Sequence, residues 1–242
     1  MLDEEHPLPS RSPQDQNTYT LGRIGHTNIV ILQLPKTAVI TSSSITAMRM
    51  TFPSLRAGVV VGVTDYVPRM HTDAGEVKPG DIIISKPTQL HPAGVVQLER
   101  NTGASLGATP ARLHYAWKEA NARRAMSAED PVVLNMRRLD GKLRGLNVWS
   151  LDARSQMIDA HGGLVASSAS PNEVTQSMLD AVAAREKSVL CFDSVSANVL
   201  SGLPGLVVRG VALGPESNSY AAGISAAYAR QICSYFVVRG EY

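Results

Sequence analysis

The stretch CFDSVSANVL, Cys191 to Leu200, joins an apolar strand pattern directly to a helical one. The segment SVLCFD (188–193) is apolar up to a single carboxylate, Asp193, and SVSANVLSG (194–202) then has the spacing of a short helix. A junction at the carboxyl end of a strand is where α/β proteins place ligand-binding residues. The stretch therefore predicts an α/β fold and a candidate site that begins at Asp193.

Strand-like and helix-like segments alternate along the rest of the chain. Apolar runs of strand length predict a sheet covered on both faces, and they are TYTLGRIG (18–25), NIVILQLP (28–35), AGVVVGVT (57–64), DIIISK (81–86), GVVQLER (94–100), HGGLVASSA (161–169) and GLVVRGVAL (205–213). The first two form a hairpin that turns at residues 25–27. Helical patterns occupy residues 42–52, 109–126, 170–186 and 218–238. The alternation predicts a three-layer α/β domain with a parallel or mixed central sheet.

The remaining segments set the expected domain organisation. Residues 1–17 are polar and contain prolines, so we expect an irregular lead-in before a single domain that spans 18–242. Residues 127–158 carry many charges without periodicity, so we expect surface loops there. Ser170 and Glu173 form a capping-box pattern that predicts the start of the helix after the 161–169 strand.

Composition excludes several classes of protein. Of the 242 residues, 44% are hydrophobic and 18% are charged, which is typical of a globular protein and not of a disordered or membrane-spanning one. The net charge of +2, with scattered basic residues, predicts no nucleic-acid partner. Cys191 and Cys233 lie in apolar segments and are expected to be buried free thiols. The dispersed histidines predict no metal, no cofactor is expected, and a cytoplasmic protein with no membrane partner is the simplest interpretation.

Three polar features are candidate sites. The loop TDYVPRMHTD follows a buried strand, so Asp65 and Tyr66 are pocket candidates, with an ordinary surface loop as the equally supported alternative. The segment SSSIT (42–46) offers hydroxyls to an anion or a sugar, but a helix N-terminus with spare caps is favoured. Arg209 lies within a buried strand and needs a partner, and a structural ion pair with Asp193 is favoured over a catalytic role.

The chain contains, in this order, NTYTLGRIGHTNIVILQLP, FPSLRAGVVVGV, GDIIISKPT, GVVQ, HGGLVASS, VLCFDSVSANVL, LPGLVVRG and SYAAGISAAYAR. As an ordered set these segments resemble the nucleoside phosphorylase and nucleosidase superfamily, and most of all its fungal branch, which is often fused to NLR-type receptors. The likeness runs from about residue 17 to 236 and is weak over residues 110–158. It implies an α/β sandwich with a mixed, partly barrel-like central sheet, and a homo-oligomer.

The resemblance also identifies family residues that this chain has replaced. The family's glycine-rich GIGGGVP, whose backbone approaches the nucleoside, is GVTDYVP here, so Thr64, Asp65 and Tyr66 replace glycines. The family's EMEAAG supplies a glutamate that grips the ribose hydroxyls. Here DSVSAN places Asp193 at the first Glu of that motif and Val195 at the ribose-binding one.

Two further departures concern the base and the first strand. The family's RGICDYAD supplies an aspartate that protonates the leaving purine, and RGVALGPE puts Leu213 at that position. The family's ASGN becomes ASSA, Ala166 to Ala169, and the chain begins at MLDEEHPLP, which resembles the segment after the family's first strand. N-glycosidic cleavage needs a proton donor at the base and stabilisation of a cationic sugar, and leucine and valine supply neither. The resemblance therefore implies the fold without the family's reaction.

The favoured hypothesis is a repurposed enzyme whose more apolar pocket takes a hydrophobic, non-nucleoside small molecule. A cyclisation, isomerisation or pericyclic rearrangement in fungal specialised metabolism would need mainly orientation of the substrate. The catalytic candidates are Asp65, Asp193, Arg209 and Glu216. The substrate-binding candidates are Thr41, Ser42, Thr64, Tyr66, His91, Gln97, Ser167, Phe192, Ser194, Val195 and Leu213.

Two alternatives stay open at this point. A non-catalytic binding or oligomerisation module predicts no turnover and allows a retained purine-like ligand. A divergent nucleosidase or phosphorylase would use a shifted acid such as Asp65 or Glu216. A closed apolar cavity walled by Asp193 and Arg209 would favour the enzyme, whereas a site filled by its own side chains would favour the module.

Overall fold

The computed structural model describes residues 2–34, 38–64, 67–68, 71–72, 75–98, 105–142, 158–168, 174–212 and 218–236. The helices are α1 (Ala38–Thr51), α2 (Ala111–Met126), α3 (Pro131–Lys142), α4 (Gln176–Arg185), α5 (Ser196–Gly202) and α6 (Asn218–Tyr235). The strands are β1 (Glu4–His6), β2 (Tyr19–Ile24), β3 (Thr27–Leu32), β4 (Gly58–Val63), β5 (His71–Thr72), β6 (Gly75–Glu76), β7 (Ile82–Ser85), β8 (Val95–Gln97), β9 (Ala160–Ser167), β10 (Val189–Asp193) and β11 (Gly205–Gly210).

A mixed six-stranded sheet forms the centre of the molecule. Its strands lie in the order β10-β9-β7-β11-β4, and β8 also pairs with β9. The first half of β9 pairs with β7 and its second half with β8, while β10 pairs along the other edge. All of these pairs are parallel except β7 with β11. The predicted mixed α/β sheet is confirmed, and the ladders among the described residues do not close into a barrel.

Helices cover both faces of this sheet, and strand alternation sorts the side chains between them. Val207 of β11 belongs to the apolar cluster under α1 and α5. Its neighbours Leu206 and Val208 belong to the opposite cluster, under α2, α3 and α6. A third cluster joins α4 to β8, β9 and β10. The three-layer arrangement predicted from the alternating segments is therefore present.

The hairpin of β2 and β3 forms a separate sheet with β1, in the order β1-β2-β3. Its turn holds Gly25 at a φ of 56°, a left-handed conformation that favours glycine. The strand β1 differs from the irregular lead-in expected for residues 1–17. It forms because Leu2 is buried and the Asp3 carboxylate accepts a hydrogen bond from Gly25 N at 2.8 Å and pairs with Arg230.

The helix α3 lies where the sequence predicted surface loops, so that part of the prediction was wrong. Asp130 caps the helix, because its Oδ1 accepts from Val132 N at 2.9 Å, and Pro131 occupies the first helical position. Val132 and Met136 are buried against α6 in the cluster under that face. Residues 143–157 lie outside the described part of the chain.

The helix α4 begins later than its sequence signals predicted. Thr175 is its N-cap, and the Thr175 side chain accepts from Met178 N at 3.3 Å. Ser170 and Glu173 lie outside the described residues, and residue 174, which follows them, still lies before the start of the helix. The predicted helix is confirmed, whereas its predicted starting point was wrong. Among the described residues, no helix has the length and hydropathy needed to span a bilayer.

Candidate functional site

The candidate site lies where β8, β9 and β10 end side by side. Gln97 is in register with Ser167, and Ser167 is in register with Asp193, so the three last residues of these strands are neighbours. Two positions earlier on each of these strands lies a residue of the apolar cluster under α1 and α5. These residues are Val95, Val165 and Cys191. Strand alternation therefore places all three side chains on the face that α5 covers.

Arg209 reaches the same face from β11. It lies two positions after Val207, which belongs to the cluster under α1 and α5. Its register partner on β4 is Gly62, where an added Cβ would lie 2.2 Å from Arg209 Nη1. The absence of a side chain at Gly62 gives the guanidinium room to lie across the sheet toward β10.

Asp193 joins the two sides of the site. Its Oδ2 accepts from Arg209 Nε at 2.9 Å and lies 2.8 Å from Arg209 Nη2. The side chain of Asp193 is 2% exposed and that of Arg209 is 5% exposed, so this ion pair is shielded from water. The ion pair that the sequence suggested for Arg209 is present.

The same carboxylate caps α5. Asp193 Oδ1 accepts from Val195 N at 3.0 Å and Ser196 N at 2.9 Å. Ser167 Oγ donates to Oδ1 at 2.7 Å and accepts from Ala197 N at 2.9 Å. The first amide groups of the helix are therefore satisfied by side chains of the protein itself.

Ser196 completes the cluster. Its hydroxyl donates to Asp193 Oδ2 at 2.5 Å and accepts from Arg209 Nη2 at 3.0 Å. Ser196 was not among the sequence candidates. Its signal was present, because an Asp three positions before a Ser at a strand-to-helix junction is an arrangement that caps helices. We call Ser167, Asp193, Ser196 and Arg209 the buried cluster.

Opposing effects act on the pKa of Asp193. Burial raises the pKa, but the Arg209 guanidinium and the hydrogen bonds from Ser196 and Ser167 outweigh burial and hold the pKa below its ordinary value. Asp193 is therefore a stable carboxylate at neutral pH. Both of its oxygens are already engaged with protein donors.

The other sequence candidates are placed around the cluster or away from it. Phe192 points to the opposite face and packs in the cluster under α4, because it alternates with Asp193 along β10. Val195 is half-buried and packs against the core under α1 and α5. His91 lies near Glu186, with 3.7 Å between Nε2 and Oε2. Thr64 donates its backbone N–H to Gly210 O at 3.0 Å.

The remaining candidates fall into two groups. Thr41 is buried on α1, Ser42 is exposed one residue later, and Ser194 is half-buried beside Asp193. The other four lie outside the described residues, and they are Asp65, Tyr66, Leu213 and Glu216. The described residues contain no group of three or more His, Cys, Asp or Glu side chains placed to hold a metal ion.

Comparisons with known proteins agree with this architecture. No family model matches the chain. A Hyaloscypha variabilis protein described as nucleotide-binding leucine-rich repeat (NLR)-like is 28% identical over 277 aligned positions, which cover 95% of this chain. The chain spans only 27% of that relative's length.

Solved structures resemble the chain over nearly its whole length. The 5'-methylthioadenosine/S-adenosylhomocysteine nucleosidase of S. pneumoniae has a TM-score of 0.60 at 15% identity, with 98% of this chain and 92% of that one covered. The futalosine hydrolase of Helicobacter pylori has a TM-score of 0.55 at 14% identity, with 95% and 88% covered. As the sequence resemblance predicted, the chain has the nucleoside phosphorylase-like fold of these nucleosidases.

Proposed function

We propose that this chain is a non-catalytic module on a nucleosidase-like scaffold, which acts by binding and assembly within a larger protein. The observation that carries the proposal is the state of Asp193. Its two oxygens accept from Ser167, Ser196, Arg209 and the first amides of α5. A carboxylate engaged in this way has a structural role and is poorly suited to exchange protons with a ligand.

The surroundings of Asp193 support the same interpretation. A general acid or base needs a pKa near the working pH, and the pKa of Asp193 is held below its ordinary value. Among the described residues, Arg209, the cation of the cluster, bonds to the side chains of Asp193 and Ser196. Val195, at the position where the family resemblance places a ribose-gripping glutamate, packs against the core. Among the described residues, the polar groups of the buried cluster bond to one another and to the start of α5.

The relative from Hyaloscypha variabilis supports a modular role. It is described as NLR-like, and nearly all of this chain aligns with about a quarter of its length. In this proposal, a domain that makes up about a quarter of a longer protein contributes by presenting surfaces to partners or to copies of itself. We therefore propose that the module forms a homo-oligomer, which light scattering on the purified chain would detect.

A turnover assay tests the proposal directly. The chain is incubated with methylthioadenosine, S-adenosylhomocysteine, adenosine and inosine, each with and without phosphate, and free base is measured by liquid chromatography. We expect no base above the protein-free blank, while a nucleosidase run in parallel releases adenine. Base release that rises in proportion to the chain's concentration would contradict the proposal and support a divergent nucleosidase.

The second candidate is a repurposed enzyme that rearranges a hydrophobic, non-nucleoside small molecule by cyclisation, isomerisation or a pericyclic step. Its support is the apolar replacement of family polar residues at Val195 and Leu213. Its acid or base would have to be Asp65 or Glu216, since Asp193 is engaged. Mass spectrometry of a fungal metabolite extract would reveal an isomeric product that the wild-type chain makes and a D65A/E216A variant does not.

A further inference from the structure

A cavity of about 570 Å³ lies between the β2–β3 hairpin and α1. It shares no lining residue with the buried cluster, so binding at this cavity is independent of the proposed function. Its volume falls within the range of about 300–1,000 Å³ that ligand sites occupy in proteins. Three segments line it, and the residues are Gln14, Gln16, Asn17, Thr18, Gln33, Leu34, Ser43, Ser44 and Ala47.

The described lining is polar and includes no charged side chain. Four of its side chains are carboxamides and three are hydroxyls, while Leu34 and Ala47 are apolar. A charged ligand would meet no opposite charge among the described lining side chains. A carboxamide offers donors and an acceptor together, which matches a ligand that presents N–H and C=O groups side by side. The lining chemistry therefore selects an uncharged ligand rich in amide groups.

One wall of the cavity is held rigidly. Asn17 donates its side-chain N–H groups to Tyr19 Oη at 2.8 Å and to Ser44 O at 2.9 Å. Beneath it, the buried Asp15 accepts from Tyr19 Oη at 2.9 Å and from Thr51 Oγ1 at 2.5 Å. With both amide hydrogens of Asn17 committed, its Oδ1 is left as an acceptor, and no described residue donates to it. Because Asn17 is already held in place, little side-chain entropy is lost when a ligand binds to its Oδ1.

Two further carboxamides of the lining have no hydrogen-bond partner among the described residues. The side-chain amides of Gln16 and Gln33 make no hydrogen bond with the described residues, and both side chains are exposed. Gln33 directly follows β3, which pairs with β2 alone in the ladders that the structure describes. The backbone N–H of Gln33 already donates to Thr18 O at 3.4 Å, so the side-chain amide is the group that Gln33 offers to a ligand. No aromatic ring is among the described lining residues, so these residues offer no stacking surface to a sugar ring.

We propose that this cavity binds a short, uncharged peptide segment in extended conformation through its backbone amides. Asn17 Oδ1 accepts from a peptide N–H, and Gln16 and Gln33 pair with further amide groups of the segment. Leu34 and Ala47 contact its small side chains. The partner is thus a Ser-, Thr-, Ala- or Gln-rich stretch, and segments that carry Lys or Glu bind more weakly because the described lining offers them no opposite charge.

Calorimetric titration of the full chain with acetylated and amidated pentapeptides tests this proposal. One set is built from Ser, Thr, Ala, Val and Gln, and a matched set carries Lys or Glu at the centre. We expect saturable binding of the uncharged set, with binding of the charged set about tenfold weaker or absent. Maltopentaose is titrated in parallel to test whether the cavity binds a sugar and not a peptide.

Two variants on α1 locate the binding. Ala47→Trp fills the cavity, and Thr46→Trp adds the same ring one residue away on an exposed position outside the lining. Binding that is lost in A47W and kept in T46W supports the site. Binding of maltopentaose alone, equal losses in both variants, or no saturable binding of the uncharged peptides up to about 1 mM would each overturn the proposal.

Discussion

Arg209 Nε lies 2.9 Å from Asp193 Oδ2, and this contact joins β11 to the junction of β10 and α5 beneath the surface of the molecule. Both side chains are buried, and two serines complete their hydrogen bonds. The contact connects two strands of the central sheet. Its contribution to stability can be measured.

Removing the charge of Asp193 should destabilise the fold strongly. In D193N the Arg209 guanidinium stays buried without a counter-charge, and loss of one partner of such a pair costs about 3–5 kcal/mol. Urea unfolding of the variant measures this loss. The control is D180N, because Asp180 is exposed on α4 and, among the described residues, bonds only to Gln176, so its change should stay within about 0.5 kcal/mol. Equal stability of D193N and wild type would contradict the structural role.

A double-mutant cycle should show that the two residues act together. Replacing both members of a buried pair by apolar residues is often neutral, whereas replacing one leaves an uncompensated charge. D193L/R209M should therefore unfold at a higher urea concentration than D193L alone. The coupling between residues in contact should be about 0.5–3 kcal/mol. Strict additivity of the two single changes would show that the contact contributes nothing.

The pKa of Asp193 predicts a pH dependence. Because its folded-state pKa is lowered, the unfolded state binds more protons in acid. The stabilisation is complete above the ordinary aspartate pKa of about 3.9 and is lost as the pH falls through the folded-state value. Urea midpoints measured from pH 7 down to about pH 3 should therefore fall less steeply in D193N than in wild type. Parallel curves would mean that Asp193 titrates alike in both states.

Gly62 should tolerate no side chain while Arg209 is present. A Cβ there would lie 2.2 Å from Arg209 Nη1, so G62A should cost about 1–3 kcal/mol through overpacking. On the same strand, a Cβ at Gly58 would meet only the flexible end of Leu203 at 3.0 Å, so G58A is the matched control and should cost less. The cost of G62A should shrink in an R209M background. If G62A lost the same free energy of unfolding in the R209M background, its clash would not be with Arg209.

The cap of α3 provides a test away from the site. Asp130 accepts from Val132 N and from Arg124 Nε, both at 2.9 Å, so D130A removes a helix cap and a partly buried ion pair. We expect a loss of about 1–2 kcal/mol and faster amide exchange in residues 132–136. E129A is the control, because Glu129 pairs with Arg137 at the exposed surface. Similar effects of the two variants would argue against the cap.

Strand periodicity made much of this architecture predictable. The apolar runs around Ile82–Ser85 and Gly205–Gly210 had to be buried on both faces, and a charge inside one of them, Arg209, required a partner. Asp193, at the end of another predicted strand, was the suggested partner. These inferences depend on local pattern and on the cost of burying charge, and both are visible in the sequence.

Other features depend on contacts that local patterns do not contain. Asp130 and Pro131 are typical of a helix start, but the charged residues that follow obscure the apolar periodicity of α3. The apolar face is evident only from its packing against α6. The strand β1 pairs with β2, and Asp3 just before it contacts Arg230, which is more than two hundred positions away. Phe192 looked like a pocket residue, yet alternation along β10 directs it under α4.

The scaffold is nucleosidase-like, and we expect the chemistry of a nucleosidase to be absent from it. Chromatography of free adenine after incubation of the chain with methylthioadenosine, at increasing protein concentration, is the decisive test. We predict adenine at the level of the protein-free blank at every concentration, for wild type and V195E alike. Adenine that rises with wild-type concentration would show that the chain is a working nucleosidase.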